Sequence, residues 1–249
     1  MDRNPTRRFP ILTVALILVN VAVFGYQLTK PDNLSLGSQT AFICEWGLVP
    51  DHVVHGGTQA SASALPPPVP GDVTCEELNE RHNRFLGLIT SQFVHAGWLH
   101  IGFNMLFLWV FGNNIEDRLG RLRFVPFYLL CGVLAGLVQA LVTASEQAPL
   151  VGASGAIAGV LGGYIMLFPR ARVWTFIPPF FVLPIPAWVT LGLWFAFQLL
   201  YASGSTQVGG GVAYFAHIGG FIAGLLLIRP FMAGRAPPTP PRAAVGPVY

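Results

Sequence analysis

Four polar side chains stand out from long apolar runs: His100 and Asn104 in one run, Ser154 at the start of another, and His217 in the last. A serine becomes a nucleophile when a neighbouring base takes its proton, and histidine is the side chain best suited to that near neutral pH. A second imidazole and a carboxamide can donate hydrogen bonds to an oxyanion. His100 and Asn104 are spaced i, i+4 and so share one helix face. The set therefore contains the parts of an acyl-transfer site. Each part alone has a plainer reading. Gly152-Ala153-Ser154-Gly155 serves equally as a packing motif, His217 as a satisfied polar contact or proton relay, and His100 with Asn104 as a bond between helices. His95 reads as a loop or interfacial residue, and His52, His55 and His82 as solvated. Their joint occurrence is what points to chemistry.

The elements that would position these groups are membrane helices. Of the 249 residues, 53% are hydrophobic and 10% charged, with mean hydropathy +0.58, whereas soluble domains carry about 25% charged residues. That excludes an ordinary cytosolic enzyme and any disordered or fibrous class, and points to a polytopic membrane protein. The net charge of +3 gives no basis for a nucleic-acid surface. Six spans are expected: residues 10–28, 99–115, 124–143, 154–168, 185–201 and 212–228. The first is read as an anchor rather than a cleaved signal, because no small-residue cleavage site follows it. None of the six contains Asp, Glu, Lys or Arg; Asn20, Gln139 and Gln198 are among their amides. Intramembrane ionisable groups are costly and mark function, so the two histidines carry weight. Spans two, four and six run in the same direction, and at 1.5 Å rise per residue the four groups fall within about 10 Å of one boundary. Gly155, Gly159 and Gly163 recur every four residues, as do Ala216, Gly220 and Gly224. This pattern lets membrane helices approach closely and would bring Ser154 to His217.

Orientation follows from the basic residues, which favour the cytoplasmic side. With residues 1–9 inside, the inner segments hold eleven of the 14 Lys and Arg, and the outer segments only Lys30, Arg81 and Arg84. Both termini are thus expected to be cytoplasmic, in a cell (inner) membrane, with the polar cluster opening to the outer face. The long outer segment 29–98 contains a Gly-, Ser-, Ala- and Pro-rich stretch, 56–70, read as a flexible insertion. Cys44 and Cys75 flank it on the oxidising side, where a disulfide between them is a hypothesis. Cys131 reads as a small buried residue. Prolines keep 173–184 from being a helix interior, and it is placed at the cytoplasmic interface, with Pro186 near the start of span five. The tail 229–249 is proline-rich and expected to be disordered. No His-Glu-x-x-His pattern or intramembrane acid pair exists, so neither zinc nor carboxylate-dyad hydrolysis is expected; no metal or other cofactor is called for.

The strings His100-Ile-Gly-Phe-Asn104, Gly152-Ala-Ser154-Gly155 and Ala216-His217-Ile-Gly-Gly220-Phe-Ile-Ala-Gly224 resemble those of the rhomboid intramembrane serine proteases, most of all bacterial members of the basic six-span form. The likeness extends from about Ile89 to Leu227 and includes Phe111-Gly112-Asn113-Asn114-Ile115-Glu116-Asp117 and Phe127-Tyr128-Leu129-Leu130-Cys131-Gly132. The resemblance implies an all-α, six-helix transmembrane bundle of rhomboid type over residues 10–228. It implies Ser154 as nucleophile and His217 as general base, without an acidic third member. His100, Asn104 and the backbone N–H of Ser154 would stabilise the oxyanion, and Gly152 and Gly155 would give the substrate backbone room to approach. The partners implied are transmembrane protein substrates in the lipid bilayer, cleaved in or beside their spans. Residues 202–208 would form a mobile cap, and span five a lateral gate.

The chain departs from the pattern in two places. Leu86-Gly87 stands where many members carry Trp-Arg, and Ala158 stands where some have an aromatic stacked on the catalytic histidine, so other contacts must orient His217. Two other classes remain to be weighed: a catalytically inactive rhomboid-like protein that binds membrane clients, and a small transporter using His217 as a proton relay. The transporter would need a second ionisable site along a crossing pathway, which the inner halves of the spans lack.

Overall fold

The computed structural model describes residue 6 and residues 8–30, 38–56, 75–177, 181–204 and 213–234. Most of the stretch 56–70, the tail beyond 234 and residues 205–208 of the expected cap lie outside the described residues. The protein is mostly helical: α1 (Ile11–Leu28), α2 (Ser38–Trp46), α3 (Pro50–His55), α4 (Cys75–Glu80), α5 (Gly87–Thr90), α6 (Trp98–Phe107), α7 (Asn113–Leu119), α8 (Arg121–Val142), α9 (Ser154–Leu167), α10 (Ala187–Gly204) and α11 (Tyr214–Met232). Helices α1, α8 and α11 are long and apolar enough to cross a membrane alone. α6 and α7 join through a π-helical turn at Leu108–Gly112, giving one rod, Trp98–Leu119, that meets Gly87–Phe93 at a 95° bend. α9 and α10 are shorter apolar helices. Leu18, Val21, Leu193, Leu200 and Leu226 are exposed on the outer surfaces, where a soluble protein of this size would place charge and a membrane protein meets lipid.

The centre of the bundle is a close seam. A methyl group built on Gly220 would land on the Gly155 carbonyl, and one built on Gly224 on the Gly159 carbonyl. No residue but glycine fits there, and the α9 and α11 backbones touch. α8 lies along the same seam, with Ala135 against Gly155 and Cys131 against Gly159. Without a hydrophobic drive between helices in lipid, such van der Waals contact is a main source of association. Phe124, Phe127, Tyr128, Ile157, Leu161 and Tyr164 fill the buried core around it.

Several boundaries differ from expectation. The second span does not stop at Ile115; it continues to Leu119 and carries Glu116 into the interior, 3% exposed. Its carboxylate accepts from the Leu12 and Thr13 backbone N–H groups (3.0 and 2.7 Å) and from Thr13 Oγ1 (2.8 Å). The N-terminal N–H groups of a helix lack partners within it, and Glu116 satisfies two of them for α1. The helix expected as the fifth span begins at Ala187, not Ile185, because Phe181–Pro186 pairs antiparallel with Arg172–Ile177 as strands β2 and β1. Proline prevents a helix there but is tolerated in a two-stranded ribbon, which consists only of edges. On the other side of the molecule, α2 and α4 are joined by the Cys44–Cys75 disulfide. Asn79 reinforces the joint by donating to the Cys44 and Gly47 carbonyls. His52 and His82 are half-buried rather than solvated, bonded to Asn79 and Glu45 respectively.

Candidate active site

Ser154 is the first residue of α9. The chain before it is held by a two-way backbone pair, Leu48 with Leu150 (2.9 and 2.7 Å), and by the Gly152 N–H donating to the Ser91 carbonyl at 2.8 Å. Gly152 adopts φ +120°, a conformation L side chains rarely take. It also lies against the second span: a methyl group there would stand 2.7 Å from His100 Nε2 and 3.7 Å from Asn104 Nδ2. Glycine is thus required both by the turn and by the approach of the His100 ring to the start of α9.

His217 lies one turn into α11. That helix is anchored at its beginning by Gln139 of α8, whose Oε1 accepts from the Ala216 N–H at 3.0 Å. The seam then sets the depth, and His217 Nε2 comes 2.8 Å from Ser154 Oγ. Both side chains are half-buried. The opposite ring nitrogen, Nδ1, lies 2.9 Å from Gln198 Oε1. Asn104 is buried and donates to the His100 carbonyl one turn earlier (3.0 Å), while the Ala96 N–H faces His100 Nδ1 at 3.4 Å. His95 is fully buried, its ring 5.2 Å from that of His100. A small cleft lined by Ser91, Gln92, Gly132, Leu150, Ser154 and Ala216 adjoins the serine.

The structure therefore brings Ser154, His217, Gly152, His100 and Asn104 into one neighbourhood, with Gly155 facing α8 and α11 in the seam. Among the described residues no group of three His, Cys, Asp or Glu could hold a metal. The sequence marks Gln198 and Gln139 only as intramembrane amides and gives Glu116 no role of its own. Their roles depend on partners far along the chain, and no local spacing marks them.

The Rhomboid domain family matches residues 82–233, more than half of the chain, and the protein belongs to the rhomboid family. Among similar proteins, "Rhomboid protein 1, mitochondrial" of Saccharomyces cerevisiae is 34% identical over 148 residues, covering 57% of this chain and 40% of its own. "Rhomboid-like protein 11, chloroplastic" of Arabidopsis thaliana is 31% identical over 144 residues, 56% of this chain and 50% of the relative. "Presenilin-associated rhomboid-like protein, mitochondrial" of Mus musculus is 35% identical over 88 residues, 34% of this chain and 23% of the relative. The matched segment spans no more than half the length of these relatives.

Proposed function

We propose that this membrane protein is an intramembrane serine endopeptidase that hydrolyses peptide bonds in or next to the transmembrane segments of other membrane proteins. The observation that carries the reading is the 2.8 Å separation of Ser154 Oγ and His217 Nε2 across two helices. Ser154 Oγ attacks the scissile carbonyl as its proton passes to His217 Nε2. His100, Asn104 and the Ser154 N–H donate to the resulting oxyanion, with the positive end of the α9 dipole adding to their effect. His217 then protonates the leaving amine as the C–N bond breaks, giving an acyl-enzyme. A water, deprotonated by the same imidazole, attacks the acyl carbon and releases Ser154. Preorganised donors of this kind are worth roughly 3–4 kcal/mol each.

The 14 residues of α9 extend about 21 Å at 1.5 Å per residue, against about 30 Å of hydrocarbon. Taking the segment that leads into α10 as cytoplasmic, a helix this short is consistent with a Ser154 that lies below the outer boundary and is reached by water from outside. In this reading both termini lie on the cytoplasmic side of a cell membrane, with six spans between them, as the bias of Lys and Arg toward the inner segments supports.

Reaction with a fluorophosphonate probe in detergent, followed by cleavage of a single-span reporter in liposomes, tests the reading. Wild type labels and cleaves, whereas Ser154→Ala and His217→Ala each fall to background while remaining folded. Substantial cleavage by purified Ser154→Ala would falsify it, as would a folded wild type that neither labels nor cleaves.

A further inference from the structure

We infer that Gln198 is a positioning residue for His217, so that the reacting unit is Ser154–His217–Gln198 rather than a dyad. The inference rests on the proposed protease reading and adds a residue to it. Gln198 is nine-tenths buried, although its neighbours Phe197, Leu199 and Leu200 on the same helix are exposed. Its Oε1 is 2.9 Å from His217 Nδ1, and Nε2 of the same ring is 2.8 Å from Ser154 Oγ. The three groups form one line across α10, α11 and α9.

The chemistry of the contact selects a tautomer. An amide oxygen only accepts, so the ring proton sits on Nδ1 and the lone pair of Nε2 faces the serine. That is the form that can take the Oγ proton. With Nδ1 unpaired, the proton is free to reside on Nε2, where it donates to Oγ and removes the base from service. A wrong tautomer is the reason an intact serine-protease site loses most of its activity when the group behind its histidine is changed.

The same helix face also sets an aromatic ring beside the imidazole. Trp194, one turn before Gln198, lies with its ring 5.9 Å from that of His217 at a tilt of 38°. From α9 the ring receives no such wall, since the residue one turn after Ser154 is Ala158. Phe195 stacks on Phe221, 4.6 Å between centroids and 22° between planes, and fixes the rotation of α10 that aims Gln198 inward. In hydrocarbon an amide side chain needs a partner, and here the partner is the catalytic ring.

The experiment uses the full chain in detergent, with Gln198→Leu to remove the acceptor and Gln198→Glu to restore an acceptor oxygen at the same reach. The rate of fluorophosphonate labelling is resolved into its saturating rate and half-saturating concentration. In that reaction a P–O bond to Ser154 forms, fluoride leaves, and the Oγ proton goes to His217. In parallel, nitrogen-15 spectra of the histidine rings, assigned by His217→Ala, read the tautomer directly and need no turnover. We expect the saturating rate of Gln198→Leu to fall about 10–100-fold with the half-saturating concentration unchanged, Gln198→Glu to recover most of it, and His217 to shift from Nδ1–H toward Nε2–H in the leucine variant alone. Labelling of Gln198→Leu within twofold of wild type overturns the inference while leaving Ser154 and His217 in their roles. So does an equal loss in both variants with the ring tautomer unchanged. Failure of the protease reading is separate: wild type itself would then neither label nor cleave, and the ring spectra would still decide whether Gln198 sets the tautomer.

Discussion

Two of the helices that meet α11 at the site, α9 and α10, do so by different physics. α9 touches it through backbone, with Gly220 and Gly224 against the Gly155 and Gly159 carbonyls. α10 touches it through side chains only at the reacting end: Gln198 on His217, Trp194 beside it, Phe195 on Phe221, and Tyr201 stacked on Tyr214 at 5.7 Å. Backbone contact has no rotamers, so the nucleophile and base are held as one block. Side-chain contact does have them, so the group behind the base sits on the more adjustable support. The lesson is a division of labour: the seam sets whether the two reacting atoms meet, and α10 sets how well the imidazole is aimed.

The largest effect should come from breaking the seam. In Gly224→Ala the new methyl group collides with the Gly159 carbonyl, backbone that cannot turn aside, and overpacking of this kind costs about 1–3 kcal/mol or more. The expected result is a lower midpoint in thermal or denaturant unfolding together with loss of fluorophosphonate labelling. A variant that unfolds like wild type and still labels would show that α9 and α11 are not held by this contact. Removing a contact of α10 should separate the two properties. Phe195→Ala loses a stacked pair worth about 1 kcal/mol beyond the packing of the ring itself, and stability should drop by at least that much. Labelling should slow several-fold, because the helix carrying Gln198 loses its rotational stop. Equal damage from both substitutions would erase the distinction between the two supports.

Legibility in the amino-acid sequence follows the same division. The seam is legible because glycines four residues apart are rare enough to notice and imply approach wherever they occur. Ser154, His217, His100 and Asn104 are legible because polar groups are conspicuous in apolar runs. Gln198 is visible as an amide, yet nothing within α10 says which ring it meets, 19 residues away at His217. Glu116 lies just past the expected end of its span, and its meaning depends on the N-terminus of α1, more than 100 residues earlier. The strands at 172–177 and 181–186 are hidden because proline announces only what a segment cannot be. Local composition reports barriers and spacings; the partner of a lone polar group is a tertiary fact.

The outer loop offers the smallest and most selective test. Its disulfide joins α2 to α4, and that part of the loop reaches the turn ahead of Ser154 through Leu48, which pairs with Leu150 two residues before Gly152, and through Gly47, which lies against Pro149 and Val151. Leu48 is itself fully buried, packed with Val53, Leu88 and Ala140 and against Gly136 of α8. It therefore has anchors that do not depend on Cys44. Reducing the protein, or substituting Cys44→Ser, should loosen α4 and make Arg81 and Arg84 easier for trypsin to cut, since α4 then loses its covalent tie to α2 and keeps only non-covalent contacts such as those of Asn79 and Leu78. Labelling of Ser154 should stay within about twofold of the oxidised protein. A fall of tenfold or more on reduction would mean that the turn ahead of α9 takes its shape from the outer loop, and the site would then rest on three supports rather than two.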